Sequence, residues 1–316
     1  MRLADGHPLL ARVLDEPPLT VALADVPAFW RRCNITFVFR RPPLLEDGDW
    51  LPAAIRGALG RQLKRLAETR EWWEVQGAPE RRGGPSALDA LYRNHAVFAE
   101  TRHVPKPFVI GCKVRAERVR VRLSLFGHAI RWREDVMRAM HGVMQPRQAG
   151  GEGGIALRMR GRARAPWPLV DAWWQEEAAF PLPPPKPSFL LVSRTPVVAG
   201  VEGKYRGDMA DLWFSLVMRV AGLARWQGLK APVDEAHWRA LCRRVKAEHL
   251  HPPRPSSYVR RSRRHPLRDH HMRGVRLNLL IRDCPRELWP VFALGVTCHM
   301  GGDAALGHGR YIIGDP

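Results

Sequence analysis

The stretch His299-Met-Gly-Gly-Asp-Ala-Ala-Leu-Gly-His-Gly-Arg-Tyr311 places a glycine-rich loop between an apolar helical segment and a short strand. Glycine adopts left-handed backbone angles at little cost and allows another group to approach the backbone closely. Consecutive backbone N–H groups in such a loop can bind phosphate oxygens. A glycine loop on its own favours a tight surface turn, so a binding role depends on the rest of the chain. The glycines that we predict to contact a nucleic-acid backbone are Gly301, Gly302, Gly307 and Gly309.

The composition supports a polyanionic partner. The 316 residues include 51 Lys and Arg against 31 Asp and Glu, for a formal net charge of +20. Most of these cations are arginines, whose planar guanidinium binds phosphates and stacks on bases; a GC-rich genome would produce the same bias. No apolar run is long enough to cross a membrane, and no signal segment or lipidation motif is present. We therefore predict a cytoplasmic protein with no membrane partner.

The five cysteines include no C-x-x-C pair. Most of them stand among apolar residues, as expected for buried thiols in a reducing compartment. We predict neither a metal site nor a cofactor.

Hydrophobic periodicity predicts an α+β fold made of two tandem ferredoxin-like domains. The proline-rich run Phe180-Pro-Leu-Pro-Pro-Pro-Lys-Pro187 cannot continue a helix or a sheet. We therefore predict a domain at 1–180, a linker at 181–187 and a second domain at 188–316, with a helical and basic insertion at about 208–271. The first half is predicted to contain a strand at 33–40, a helix at 50–68, strands at 108–115 and 119–130, a helix at 131–145 and a strand at 155–162. The second half is predicted to contain a strand at 188–196, helices at 209–228 and 233–250, a strand at 272–282, a helix at 285–300 and a strand at 310–313.

Three segments resemble those of a known family. The run from Trp289 to Tyr311, with its helix, glycine loop and Gly-Arg-Tyr strand, is similar to the C-terminal motif of the Cas-six endoribonucleases. Ile55-Arg-Gly-Ala-Leu-Gly-Arg-Gln-Leu63 is similar to their first-helix motif. Arg261-Ser-Arg-Arg264, followed by Met272-Arg-Gly274, resembles their Arg-rich hairpin. With two ferredoxin-like units, the chain resembles the RAMP superfamily of CRISPR-associated proteins.

The resemblance implies metal-independent cleavage of precursor CRISPR RNA. The 2′-hydroxyl beside the scissile phosphate would attack at the 3′ base of the repeat stem-loop and leave a 2′,3′-cyclic phosphate. The implied partners are the repeat RNA and other subunits of a CRISPR effector complex. Family members carry a catalytic His or Tyr near the first helix, whereas residues 31–70 contain neither, and Asp303 stands where Lys is usual. This departure points to the arginine-dependent type IV variant.

Arg40 and Arg41 end the first predicted strand, and we predict that they clamp the scissile phosphate. A solvated strand end is the equally balanced alternative. Arginine is a poor general base because of its very high pKa. His271, or its neighbour His270, is therefore our candidate for proton transfer, and at most one of the two acts if the segment is extended.

The predicted RNA-binding residues come from three basic segments. The first helix and the predicted helix at 233–250 present arginines that would equally form ordinary solvated faces. The segment 254–271 is the densest basic stretch, and Tyr258 within it is expected to stack on an unpaired base. The predicted RNA-binding side chains are Arg56, Arg61, Arg65, Arg239, Arg243, Tyr258, Arg260, Arg261, Arg263 and Arg264.

Two other functions remain open from the sequence. A non-catalytic RAMP subunit that binds guide RNA as a scaffold is favoured by the absence of His and Tyr from residues 31–70. A general RNA-binding protein needs only the charge and explains none of the motifs.

Overall fold

A computed structural model of the chain describes residues 7–42, 45, 48–68, 84–99, 102–144, 167–198, 209–261 and 269–316. Within these residues the α-helices are α1 (Pro8–Asp15), α2 (Leu51–Glu68), α3 (Ala87–Tyr92), α4 (Arg133–Met144), α5 (Met209–Ala224), α6 (Glu235–Arg244) and α7 (Trp289–Cys298). The β-strands are β1 (Leu19–Thr20), β2 (Arg32–Arg40), β3 (Val97–Ala99), β4 (Arg102–His103), β5 (Phe108–Val114), β6 (Arg118–Phe126), β7 (Leu169–Glu177), β8 (Phe189–Ser193), β9 (Leu229–Lys230), β10 (Lys246–His249), β11 (Arg254–Arg261), β12 (Asp269–Arg276), β13 (Asn278–Arg282) and β14 (Tyr311–Gly314).

The chain divides into two compact units. The first unit contains Met1–Pro17 and Arg31–Glu177, and the second contains Pro18–Trp30 and Ala178–Pro316. Our sequence prediction placed all of 1–180 in the first domain, whereas Pro18–Trp30 belongs to the second unit. The reason is that β1 pairs in parallel with β9, and the 3₁₀ helix Leu23–Phe29 packs against α7.

The first unit is built around an antiparallel sheet with the strand order β5-β6-β2-β7. Apolar residues alternate along β2 and β6, so that one face of the sheet is apolar and buried under α2 and α4. Together with the chain order β2-α2-β5-β6-α4-β7, this strand order is the ferredoxin-like arrangement. The buried side chains of the two central strands on this face are Cys33, Ile35, Phe37, Phe39, Val119, Val121, Leu123 and Leu125.

The fourth strand of the first sheet is β7, which the sequence did not reveal. The predicted strand at 155–162 lies outside the described residues. β7 pairs along almost its whole length with β2, and most of its side chains are exposed. A strand that buries little of either face has no apolar alternation to detect.

The second unit repeats this arrangement, with the strand order β10-β13-β8-β14. Its core is aromatic, since the Phe189 ring meets Trp289 and Phe292 edge-on at centroid distances of 5.5 and 5.3 Å. α7 is almost wholly buried, and the Tyr311 hydroxyl donates a hydrogen bond to the Phe292 carbonyl.

Two predicted elements of the second unit were wrong. The helix predicted at 233–250 ends at Arg244, and Lys246–His249 is instead the edge strand β10, paired with β13. The single strand predicted at 272–282 is two strands. β12 forms a hairpin with β11, and β13 joins the main sheet. β10 is short, polar and exposed, so no periodicity marked it.

The predicted fold class is confirmed, since both sheets have the ferredoxin-like strand order. None of the helices in the described segments is long and apolar enough to cross a membrane. Nor do three or more His, Cys, Asp or Glu side chains come together in those segments as ligands for a metal ion.

Candidate nucleic-acid interface

The basic hairpin β11–β12 is fastened to the glycine loop by one aromatic pair. The Tyr258 hydroxyl and the His308 Nε2 share a hydrogen bond of 2.8 Å. Their rings are stacked, with centroids 5.6 Å apart and planes inclined by 26°. His308 is buried and Tyr258 is half-buried. The tyrosine that we expected to stack on a base therefore stacks on a histidine of the same unit.

Sequence reasoning missed this pair because its members are 50 residues apart. The basic stretch drew attention to Tyr258 and the glycines drew attention to residues 299–311, but no periodic pattern connects them. The only available signal was chemical, in that one Tyr stood in the basic stretch and two His stood in the glycine segment, both of them segments suspected of binding RNA.

The glycine loop is closed against a neighbouring backbone segment. The Gly302 N–H donates to the Val198 carbonyl and the Gly309 N–H donates to the Pro196 carbonyl, both at 2.8 Å. Gly301 has φ of 71°, and a Cβ there would lie 2.4 Å from the Val198 carbonyl oxygen. At Gly309 a Cβ would lie 1.8 Å from the Met300 carbonyl oxygen. Two of the N–H groups that we expected at phosphate thus bind protein carbonyls, and glycine is required there for close packing.

A buried histidine supports the same loop from inside. The His299 Nδ1–H donates to the His308 carbonyl at 3.1 Å, and His299 itself has φ of 66°. Burial, aided by the positive charges of Arg219 and Arg310, lowers the pKa of His299 to about 3. The imidazole is neutral at physiological pH and acts as a structural donor. Arg219 donates from Nε to the Cys298 carbonyl at 2.8 Å and so caps the end of α7.

The hairpin has two different faces. In the antiparallel register Tyr258 lies opposite Met272, and His271 lies opposite Val259. Neighbouring residues of a strand point to opposite faces. The exposed His271 therefore lies on the face away from Tyr258, and the hairpin does not bring these two predicted residues together.

The basic tip of the hairpin is only partly described. Arg260 and Arg261 end β11, where they pair in register with His270 and Asp269. Arg263 and Arg264 lie outside the described residues. Gly307 closes the 3₁₀ turn Ala304–Leu306 with φ of 91°.

The predicted arginines of α6 differ in their environment. Arg239 forms ion pairs with Glu235 at 2.7 Å and Asp211 at 2.9 Å, and its guanidinium lies 4.1 Å from the centre of the Phe214 ring. Its charge is compensated by two carboxylates. Arg243, one turn later, is exposed.

The predicted catalytic arginines at the end of β2 also differ from each other. Arg41 donates from Nε and a terminal nitrogen to the Leu45 carbonyl at 3.0 and 2.6 Å, and from the other terminal nitrogen to the Arg115 carbonyl at 3.2 Å. Its guanidinium thereby holds two loops. Arg40 is exposed and lies opposite Arg118 in the sheet.

The arginines of α2 belong to the helical layer of the first unit. The Arg56 guanidinium lies 4.8 Å from the centre of the Tyr92 ring and 5.8 Å from that of Phe108. Arg61 and Arg65 are half-buried further along the helix. Arg56 thus packs on aromatic rings, where a cation is stabilised by the ring electrons.

No protein-family model and no curated protein matches this sequence. Solved structures match it in fold. A Cas6 product complex superposes with a TM-score of 0.50 at 13% identity, over 90% of this chain and 99% of that chain. A Cas6 substrate mimic complex has a TM-score of 0.49 at 16% identity, over 90% of this chain and 99% of that chain. Thermus thermophilus Cas6 has a TM-score of 0.48 at 14% identity, over 90% of this chain and 98% of that chain. We conclude that this chain has the two-unit ferredoxin-like fold of the Cas6 proteins.

Proposed function

We propose that this protein is a metal-independent endoribonuclease that binds the repeat stem-loop of precursor CRISPR RNA in the prokaryotic cytoplasm. It cleaves at the 3′ base of the stem and stays bound to the product within an effector complex. The observation that carries the proposal is the basic hairpin β11–β12, which Tyr258 and His308 fix to the glycine loop. The Cas6 fold and the formal charge of +20 support it.

A basic hairpin that is fixed to the glycine loop suits a structured RNA. A-form duplexes are bound through shape and phosphates, because their deep major groove is too narrow for side chains to read the bases. The hairpin brings Arg254 opposite Arg276, and like charges directly across a ladder repel each other. A phosphate between such residues relieves that repulsion, so RNA binding would stabilise this end of the hairpin.

The cleavage chemistry needs a phosphate clamp and two proton transfers. In our proposal the 2′-hydroxyl gives its proton to His271 while its oxygen bonds to phosphorus. The bond from phosphorus to the 5′-oxygen breaks, and that oxygen takes up a proton from water. Arg40 of the first unit is proposed independently of His271, as the cation that stabilises the additional charge on the phosphorane, where a preorganised cation is worth most. Arg41 supports this end of β2 indirectly by holding the loops at Leu45 and Arg115.

A non-catalytic scaffold subunit is the second candidate. It is favoured by the burial of His299 and His308, which leaves neither imidazole open to an RNA strand. Such a subunit would bind the repeat and leave it intact. Assignment to the type IV variant stays a prediction.

The test is incubation of the full chain, in EDTA, with a labelled repeat stem-loop RNA. A second RNA carries a 2′-deoxy substitution at the expected cut position. We expect cleavage of the first RNA alone, with a 2′,3′-cyclic phosphate on the upstream fragment. Tight binding without cleavage of either RNA would overturn the enzyme and support the scaffold.

Two variants assign the roles. Arg40→Gln and His271→Gln should each lower the single-turnover rate by about 100-fold, the size of a typical general acid–base or electrostatic contribution. Arg138→Gln is the matched control, because Arg138 is exposed on α4 in the helical layer. Equal rates in all three variants would remove Arg40 and His271 from the mechanism.

A further inference from the structure

The first sheet carries a row of arginines on its second face. Along β6, the exposed residues Arg118, Arg120 and Arg122 alternate with the buried residues Val119 and Val121. Successive side chains of a strand point to opposite faces, so the three guanidinium groups lie on the face away from α2 and α4. Alternate residues are about 7 Å apart, and the row therefore spans about 14 Å.

The neighbouring strands add to this charge. Lys113 of β5 is exposed and lies opposite Arg120, and Arg40 lies opposite Arg118. Within the described part of the chain, Arg118, Arg120, Arg122 and Lys113 form no salt bridge.

On the part of this face that the structure describes, the carboxylates are few and lie on the edge strand. Glu177 is paired with Arg32 at 2.6 Å, and Asp171 lies opposite Val38. Among the described residues the central row is thus left uncompensated, an arrangement that costs energy through repulsion and is relieved by a bound polyanion.

An exposed aromatic ring lies beside the row. Trp173 of β7 pairs with Thr36, which in turn pairs with Arg122, so all three residues are on the arginine face. Two strand spacings separate Trp173 from Arg122, a distance of about 10 Å. Trp173 is 41% exposed and is not part of the buried core. The adjacent Trp174 belongs to the helical side, where the Arg133 guanidinium lies 4.6 Å from its ring centre.

We propose that this face binds a single-stranded segment of RNA. The arginines and Lys113 contact consecutive phosphates, and Trp173 stacks on an unpaired base. Unpaired bases, unlike those of a duplex, present their ring faces to aromatic side chains. The inference rests on the proposed function for the identity of the strand, which we take to be the unpaired sequence flanking the repeat stem.

The first experiment measures the binding of a fluorescently labelled oligouridine of about 12 nucleotides, a length within the range that one such platform covers. The triple variant Arg118→Gln, Arg120→Gln, Arg122→Gln is compared with the triple variant Arg12→Gln, Arg138→Gln, Arg286→Gln. Both remove three exposed positive charges, but the second set lies outside the face. Each phosphate contact to a single strand contributes about 0.7 to the slope of log affinity against log salt. We expect the first variant to lose about 2 from this slope and the second to keep it.

The second experiment isolates the stacking contact. Trp173→Ala should weaken oligouridine binding about tenfold, while Trp174→Ala should leave it unchanged. Equal losses in both variants, an unchanged salt slope in the arginine triple variant, or no binding of oligouridine by the native chain would each overturn the inference.

The outcomes separate this inference from the proposed function. Cleavage is measured on a stem-loop that keeps one nucleotide beyond the 3′ base of the stem, so that the scissile phosphate is present, and that has no other unpaired flank. If the stem-loop is cleaved while oligouridine binding is the same in every variant, only the inference fails. If oligouridine binding depends on Trp173 and the arginines while no stem-loop is cleaved, only the nuclease fails.

Discussion

In the first sheet the face away from the helices is lined by Arg118, Arg120 and Arg122, whereas the same face of the second sheet carries Leu190, Val192, Leu280 and Ile312. The arginines are exposed, and the aliphatic side chains are half-buried. The opposite faces do not differ in this way, since both are apolar and packed under helices. Strand order and connectivity are also the same in the two sheets.

The comparison separates what the fold requires from what it leaves open. Any ferredoxin-like unit has to bury one face of its sheet, so alternating apolar residues there report only the architecture. The other face is not fixed by that requirement. A row of uncompensated guanidinium groups on it costs stability and therefore indicates a ligand, whereas half-buried leucines indicate packing.

The likeness of the two buried faces predicts the largest effects. Phe37→Ala in the first sheet and Phe189→Ala in the second should each lower the free energy of unfolding by about 3 to 5 kcal/mol, because both rings are fully buried. Urea denaturation followed by circular dichroism measures the loss. The matched control is Leu280→Ala on the second face, where the half-buried side chain should cost less. A loss below about 1 kcal/mol for either Phe would contradict the claim that the two buried faces are equivalent cores.

The glycine loop distinguishes the second unit and predicts the next largest effect. Gly309→Ala introduces a Cβ 1.8 Å from the Met300 carbonyl oxygen at a φ of 72°. We expect a loss of about 2 to 3 kcal/mol in the free energy of unfolding. Gly302→Ala is the control, since its Cβ would come no closer to another atom than 3.3 Å, the distance to a Val198 side-chain carbon. Equal stability of the two variants would mean that the loop backbone can shift to accommodate the Cβ at little cost.

Acid should lower the free energy of unfolding because His299 is buried in the second unit. Its pKa is lowered to about 3 by burial and by Arg219 and Arg310, whereas an unfolded histidine titrates near 6.5. Below pH 6.5 the unfolded chain binds a proton that the native chain does not, so stability is full above that pH and falls as the pH drops towards 3. At pH 5 the loss attributable to His299 is about 2 kcal/mol.

The measurement compares urea midpoints at pH 7 and pH 5 for the native chain and for His299→Gln. Burial also lowers the pKa of His95 in the first unit, so part of the acid sensitivity should survive the substitution. An identical pH dependence in both proteins would show that His299 is not the titrating group.

The smallest expected effect tests the contact between the hairpin and the loop. Tyr258→Phe keeps the ring on His308 and removes the shared hydrogen bond, at a cost of about 1 kcal/mol in the free energy of unfolding. RNA stem-loop affinity should fall with it, because the hairpin is less firmly held. If stability falls and affinity does not, the hairpin binds RNA without this anchor.

The buried halves of both sheets could be predicted from the sequence because the chain alternates there. Cys33 to Arg40 has a clear period of two, and the structure confirms this strand as β2. β7 and β10 were missed for the opposite reason, since edge strands with two exposed faces show no such period. The alternation from Arg118 to Arg122 was equally visible. It predicted the strand, while its charged positions were passed over.

The candidate site was less predictable because its contacts are distant in the chain. Glycines mark a loop, but the carbonyls of Pro196 and Val198 that close it lie about a hundred residues earlier. The ion pairs of Arg239 and the loop contacts of Arg41 likewise depend on tertiary placement. A sequence shows which side chains carry charge, but only the folded chain shows which charges are already compensated.

The assignment of Pro18–Trp30 to the second unit has a consequence for synthesis on the ribosome. Domains emerge and fold in order, and the first unit has all its strands once β7 has left the exit tunnel. The 3₁₀ helix Leu23–Phe29 is made before any of the first sheet, yet its partner α7 is among the last elements to appear. This early segment therefore lacks its α7 partner until late in translation. A nascent polypeptide stalled before Trp289 would hold a finished first unit and an N-terminal segment whose α7-facing side is still open to chaperones.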